Sequence, residues 1–238
     1  MIVTEVLPRT LASADVSTAE GREWLRERYH RSGSAYVRLN MITSLTGSAA
    51  GPDGTSETLT NRVDRAILGV IRADADVVVV GAQSVRAEGY VVPRTARLAV
   101  VTASGDLTGH RLSLGPGSAP DRVLIVCPEA IAPSLADRAS PHGVQVVGIP
   151  GGDRLHPQEI IDALAARGLA RVVCEGGPSL AAQFTAAGVI DEYCISVAPT
   201  LEPVEQPFLR VGARPGTEVG GMLVDPSGFS YLRLRTRG

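Results

Sequence analysis

The chain has 238 residues and a formal net charge of -2, and all 23 of its Lys-plus-Arg residues are arginine. The absence of lysine rules out a Schiff-base lysine and a P-loop ending in GK[ST], and the interspersed charges form no basic block for nucleic acid. No apolar run reaches bilayer length, and the N-terminus MIVTEVLPRT lacks the basic, apolar and small-residue zones of a signal peptide, so a cytoplasmic location is the default expectation.

Residues 1–17 read as an extended arm followed by a polar linker, and residues 18–31 as a short helix with Thr18 as its cap. Residues 1–33 are therefore set apart as an arm and helix, and residues 34–238 as a single α/β domain. YVRLNMI (36–42) is the first clear strand, and a loop rich in small residues follows it. Asn61 and Asp64 have capping-box spacing at the head of a helix whose apolar stripe is Ala66, Ile67, Val70 and Ile71. DVVVVG (76–81) is nearly all valine, the mark of a central strand covered on both faces. Further strands are expected at 96–103, 121–127, 144–149 and 171–176, with a helix from Pro157 to Arg167 and Gly168 closing it. A short helix from Ser179 to Ala187 precedes a strand at 191–201. The end reads as a hairpin, GMLV (221–224), turn DPSG, then FSYLRLRT (229–236). The sum is an α/β fold whose ligands belong at the carboxyl ends of its strands.

Three strand ends carry unusual chemistry. In CEGGPSL, Gly176 and Gly177 permit positive φ and close backbone approach. Pro178, Ser179 and Leu180 would open a helix whose free N–H groups suit a phosphate. A tight turn with no ligand explains the same residues. Glu175 is read as an acceptor holding the turn through backbone N–H groups, or as a residue facing a cofactor. In GAQSVRAEGY (81–90), Gly81 ends the strand, and Ser84, Arg86, Glu88 and Tyr90 offer a donor, a cation, an acid and a ring. An Arg86–Glu88 ion pair in a loop accounts for that segment equally well. In NMITSLTG (40–47), Asn40 is an amide inside an apolar strand and needs partners, and Thr43 and Ser44 add hydroxyls. Cys127, Cys174 and Cys194 each lie in an apolar run and read as buried, reduced thiols. The four histidines form no metal-binding pattern, so no metal site is expected. GxGxxG and GxSxG are both absent.

Taken together and in order, YVRLNMITSLTG, DRAILGVIRADADVVVVGAQSVRAEGY and VVCEGGPSLAAQFTAAGVIDEYCISVAPTL resemble the reductase domain of riboflavin biosynthesis, the 5-amino-6-(5-phosphoribosylamino)uracil reductases. The resemblance covers roughly residues 34–235. It implies a dihydrofolate reductase-like fold, a mostly parallel mixed sheet flanked by helices with an antiparallel C-terminal edge. It also implies NADPH as cofactor, a phosphoribosylamino-pyrimidine or related heterocycle as substrate, and a homodimer, with neither nucleic acid nor membrane as partner. The resemblance places Gly176, Gly177, Pro178 and Ser179, with Glu175 and Leu180 beside them, near the cofactor pyrophosphate. Thr43 and Ser44 fall in the segment passing the nicotinamide. Gly81, Ala82 and Val85 line the cofactor, and Arg86 approaches a phosphate. Thr102 and Ser104 lie at the adenosine end. Asn40 falls near the reacting groups, where some members carry lysine, and Glu88 or a water it holds is the candidate proton donor. Two departures stand out. Thr46 replaces the Asp of the family's SLDG, which leaves open another substrate such as dihydrofolate or a pterin, or a non-catalytic nucleotide-binding role, and Glu88 stands where an Asp is common. Many relatives carry a zinc deaminase domain ahead of the reductase, and this chain is expected to stand alone.

Overall fold

In the computed structural model, which describes residues 1–115, 119–139, 142–152, 154–212 and 215–237, the valine-rich runs pair into one sheet. Its strands are β1 (Ile2–Leu7), β2 (Ser13–Asp15), β3 (Tyr36–Ser44), β4 (Val77–Gly81), β5 (Arg97–Val101), β6 (Val123–Pro128), β7 (Gln145–Ile149), β8 (Arg171–Gly176), β9 (Glu192–Ala198), β10 (Thr217–Val224) and β11 (Ser230–Thr236). They lie in the order β2-β1-β10-β11-β9-β3-β8-β4-β5-β6-β7. From β9 to β7 every neighbouring pair is parallel, and from β2 to β9 every pair is antiparallel. Val77, Val78, Val79 and Val80 of β4 are fully buried, as a two-sided central strand requires. The C-terminal hairpin forms as its turn residues foretell, but it is not the outermost element. The N-terminal arm pairs with β10 and carries the antiparallel side outward by two strands. An arm that reads as a tail in one dimension is a strand because β10 offers it an open edge.

Helices cover both faces. α1 (Ala19–Tyr29), α2 (Arg62–Ala73), α3 (Ala82–Glu88) and α4 (Ala132–Ala139) lie on one face, and α5 (Pro157–Ala165) and α6 (Pro178–Ala186) on the other. Thr18 caps α1 by accepting from Gly21 N–H, and Asn61 Oδ1 caps α2 by accepting from the N–H groups of Val63 and Asp64, both at 2.8 Å. The Asn61 amide also donates to Asp225 in the β10–β11 turn at 2.8 Å, and the Tyr231 hydroxyl donates to the same carboxylate at 2.7 Å. One cap thus ties the start of α2 to the antiparallel side. All three cysteines are buried and unpaired, and burial pushes the thiols of Cys174 and Cys194 up to about 12. Among the described residues, no helix is long and apolar enough to cross a membrane.

The junction of the parallel and antiparallel halves is held by a buried ion pair. Arg38 of β3 is 0% exposed and Glu192 of β9 is 1% exposed. Arg38 Nε donates to Glu192 Oε2 at 2.8 Å, and its Nη2 donates to the Tyr29 carbonyl of α1 at 2.7 Å. Arg233 and Arg235 of β11 face the same carboxylate at 3.8 and 3.7 Å. Removing one partner strands a buried charge, whereas replacing both with apolar groups does not. Glu192→Ala is therefore expected to cost about 3–5 kcal/mol in a denaturant titration, and the double variant Arg38→Met/Glu192→Leu to recover most of that loss.

Candidate active site

The site is built where two strand-to-helix junctions meet. Strand β8 ends at Gly176 and α6 begins at Pro178. Gly176 sits at φ +71 and Gly177 at φ +40, so both occupy backbone that side chains avoid. Next to them β4 ends at Gly81 and α3 begins at Ala82. A Cβ on Gly177 would lie 2.7 Å from the Ser84 hydroxyl of α3, and a Cβ on Gly81 would lie 3.4 Å from the Gly176 carbonyl. At Gly177 the Ser84 side chain as well as the turn geometry excludes a Cβ. No side chain caps α6, and Pro178 has no N–H to lose. The N–H groups of Ser179 and Leu180 are left for a ligand, with the positive end of the helix dipole behind them. Ser179 is exposed, while the Leu180 side chain is buried in the core, so Leu180 has only its backbone to offer.

A polar cleft adjoins this junction. Val37 and Leu39 of β3 pack on the α5–α6 side with Met41 against them, so Arg38, Asn40 and Ile42 point to the α1–α2 side. β3 is paired on both edges, yet Asn40 and Ile42 are only half-buried, which means that the helices leave the sheet uncovered there. α2 supplies the wall. Val63, Ile67, Val70 and Ile71 are buried, and Val70 and Ala73 turn toward α1. Asp64, Leu68 and Arg72, spaced by four along the opposite flank, are half-buried and face the cleft. Arg72 grips Glu175 with both nitrogens, Nε to Oε1 at 2.7 Å and Nη2 to Oε2 at 2.6 Å, and Nη2 also donates to the Tyr90 hydroxyl at 2.8 Å. Burial opposes the charge on Arg72, but Glu175 outweighs it and holds the guanidinium pKa above its ordinary value. Asp64 accepts from the hydroxyls of Ser196 and Thr60, both at 2.5 Å. Burial pushes its carboxyl pKa up against those two hydrogen bonds and the nearby Arg65. The Asn40 amide makes no side-chain hydrogen bond to any described residue, so its donors and acceptor remain open to a ligand.

Several expectations change in this light. GAQSVRAEGY is no loop. It is α3, ended by Gly89 at φ +66. Arg86 does not pair with Glu88, because residues two apart on a helix point away from one another. Arg86 Nη1 instead donates to the Asp106 carbonyl at 2.7 Å, and the exposed Glu88 carboxylate accepts from Ser56 of the 45–58 loop at 2.8 Å. Glu175 holds the turn through Arg72 rather than through backbone N–H groups. Val85 and Ala82 are buried in the core, so their side chains pack there and only the backbone of this segment lies at the junction. The Thr43 hydroxyl donates to the carbonyls of Ser44 and Ser48, and Ser44 Oγ accepts from Ser48 N–H, so both hydroxyls serve the loop that follows β3. Thr46 Oγ1 donates to the Glu202 carbonyl at 2.6 Å and accepts from Glu202 N–H at 3.0 Å, tying that loop to the one after β9. Thr102 is buried and accepts from Gly105 N–H, whereas the exposed Ser104 lines a cavity of about 470 Å³ with Asp106, Thr108, His110 and Arg138. The contacts of Asp64 and Arg72 beside this junction were not foreseen in the sequence. The i, i+4, i+8 stripe beside the apolar one was their only signal.

Residues 35–201 match the family model described as RibD C-terminal domain. Riboflavin biosynthesis protein RibD of Mycobacterium tuberculosis is 32% identical over 184 residues, which are 76% of this chain and 46% of that protein. The chain thus spans about half the length of that curated relative. The 2,5-diamino-6-ribosylamino-4(3H)-pyrimidinone 5′-phosphate reductase of Methanothermobacter thermautotrophicus is 25% identical over 185 residues, 70% of this chain and 78% of that one. Among solved structures, a pyrimidine reductase-like protein from Corynebacterium diphtheriae superposes with a TM-score of 0.71 at 24% identity, covering 86% of this chain and 92% of that one. The Saccharomyces cerevisiae riboflavin biosynthesis reductase superposes at 0.66 and 13% identity, covering 90% and 98%. With the family model spanning most of the chain and its glycine junction falling inside the match, this protein belongs to the riboflavin-biosynthesis pyrimidine reductase family, the RibD C-terminal domain family.

Proposed function

We propose that the chain reduces the ribosyl group of a phosphoribosylamino-pyrimidine to the ribityl form, with NADPH as the reductant. The observation that carries this reading is the glycine junction opening directly beside a polar cleft on the sheet's carboxyl-end side. A pyrophosphate fits the uncapped start of α6, where Gly176 and Gly177 keep side chains out of its way. When bound there, the reduced nicotinamide supplies a hydride to C1′ of the ring-opened ribosylamine. The electron pair of the C=N bond moves to nitrogen, which takes up a proton.

The chain's own residues do the rest. Ile42 and Leu68 keep water from the reacting carbon. The Asn40 amide holds a hydroxyl of the opened ribose, its side chain making no hydrogen bond to a described residue. Arg72 fixes Glu175 so that it keeps one orientation beside Asn40. The exposed Glu88 carboxylate, bonded to Ser56, delivers the proton through a water. The reading includes a cytoplasmic homodimer, supported by family resemblance, and the exposed Leu45, Leu201 and Val204 give such an assembly apolar surface to cover.

Turnover is read as loss of the reduced-nicotinamide absorbance in the presence of the phosphoribosylamino-pyrimidine, and its absence at any substrate concentration would reject the assignment. Gly177→Ala forces a side chain onto strained backbone and against Ser84, and is expected to raise KM for NADPH about tenfold with a smaller change in kcat. An unchanged KM would remove the pyrophosphate from this turn. Glu88→Gln is expected to lower kcat about a hundredfold. A Glu88→Gln protein at full rate across neutral pH would show that the proton comes from elsewhere.

A further inference from the structure

Gly89, at φ +66, ends α3 and turns the chain, and the side chain of Tyr90 after it reaches Arg72 of α2. The Tyr90 backbone is pinned, its carbonyl accepting from Ser113 N–H at 2.9 Å while Val91 and Ser113 form an isolated bridge. The ring is partly buried against the core. Arginine only donates, whereas a phenol both donates and accepts, so the phenol oxygen is the acceptor in the 2.8 Å contact with Arg72 Nη2. The other Nη2 hydrogen goes to Glu175 Oε2 at 2.6 Å and Nε holds Oε1, so the guanidinium keeps one orientation. The phenol's own hydrogen has no acceptor among the described residues.

The sheet register ties this hydroxyl to the strand ends. β3 and β8 are parallel neighbours with Leu39 opposite Cys174, so Asn40 and Glu175 stand side by side, their Cα atoms about 4.8 Å apart. Leu39 and Cys174 both pack on the α5–α6 side, which sends Asn40 and Glu175 to the α2 side. Glu175 is also skipped in the pairing of β8 with β4, where Val79 meets Cys174 and Val80 meets Gly176. A bulge of this kind re-aims a side chain. The carboxylate so aimed holds Arg72, and Arg72 holds the phenol, two hydrogen bonds from the residue that precedes the glycine turn. Packing against the core needs the Tyr90 ring and not its hydroxyl.

We propose that the Tyr90 hydroxyl hands the proton to the substrate and that the water on Glu88 refills it. This rests on the reductase reading above and names the donor that touches the substrate. As C1′ takes up the hydride, the π pair of the C=N bond settles on nitrogen. The O–H bond of Tyr90 breaks as the new N–H bond forms, and the phenol oxygen keeps the bonding pair. The Arg72 N–H already on that oxygen stabilises the phenolate as its charge develops, with no rearrangement. A proton passed from solvent through the Glu88-bound water restores the hydroxyl. Glu88 lies two residues before Tyr90, on the other side of Gly89.

The test is Tyr90→Phe, which keeps the ring and both bonds between Arg72 and Glu175. With the phosphoribosylamino-pyrimidine and NADPH, kcat is expected to fall about a hundredfold while KM for the pyrimidine changes less than about threefold. Calorimetric titration with NADPH is expected to return the wild-type Kd, because the glycine turn is untouched. A hydroxyl that only steadied Arg72 would loosen Glu175 on removal and weaken binding, so a raised KM or Kd overturns the donor role, and so does an unchanged kcat. The double variant Glu88→Gln/Tyr90→Phe is expected to be no slower than the slower single variant, since both residues serve one proton path. Losses that multiply put the two groups on separate paths and overturn the relay. If the wild type oxidises no NADPH with the pyrimidine, the reductase reading and the donor role fall together. Wild-type turnover that Tyr90→Phe leaves at full rate rejects the donor role alone.

Discussion

Arg72 of α2 and Glu175 of β8 bind one another with two parallel hydrogen bonds beside the cleft. A forked guanidinium–carboxylate contact fixes direction as well as distance. It sets the far end of α2 against the end of β8, and the Asn61–Asp225 contact sets its near end against the β10–β11 turn. A helix pinned at both ends and packed on α1 along one flank can leave the other flank off the sheet. That is why Asn40 and Ile42 of a doubly paired central strand remain half-open. A Tyr90 hydroxyl on the same guanidinium carries the segment after α3 into the arrangement. One ion pair therefore connects the α2 wall, the glycine turn and the far side of the cleft.

The glycines answer to a different constraint. Parallel neighbours β4 and β8 end at the same level and both turn into helices, so their junctions compete for one space. A register shift between Val79 and Val80 of β4 brings Val80 opposite Gly176. The result is backbone against hydroxyl, with no room for a methyl group at Gly177. An anion meeting this surface finds N–H groups and no obstructing side chain. Packing and backbone conformation call for the same residue here, so neither alone explains the motif.

Much of the fold could be read from the sequence, because its signals are local. Valine runs, caps at Thr18 and Asn61, and the glycines at the ends of helices mark most elements within a residue or two. What could not be read depends on partners distant in the chain. The arm became β1 only through β10, and nothing in IVTEVLP points to residue 222 or 224. α3 was hidden because seven residues between two glycines are too short to show a helical period, although Ala, Gln, Arg and Glu all favour helix. In the site, glycine positions were legible from strand-end logic, while the roles of polar side chains were not. Arg86 and Glu88 look like an ion pair in sequence and are parted by helix geometry. Glu175 and Arg72 look unrelated and are separated by about a hundred positions, yet they meet face to face.

Thr46 shows how such a departure can be resolved. On sequence it raised the question of a changed substrate, because it cannot supply the carboxylate of the usual SLDG. In the structure its hydroxyl both donates to and accepts from the Glu202 backbone and meets Ser44 Oγ, which occupies it fully in tying two loops together. The tie needs a donor and an acceptor on one short side chain, and the threonine hydroxyl supplies both where an ionised aspartate could only accept.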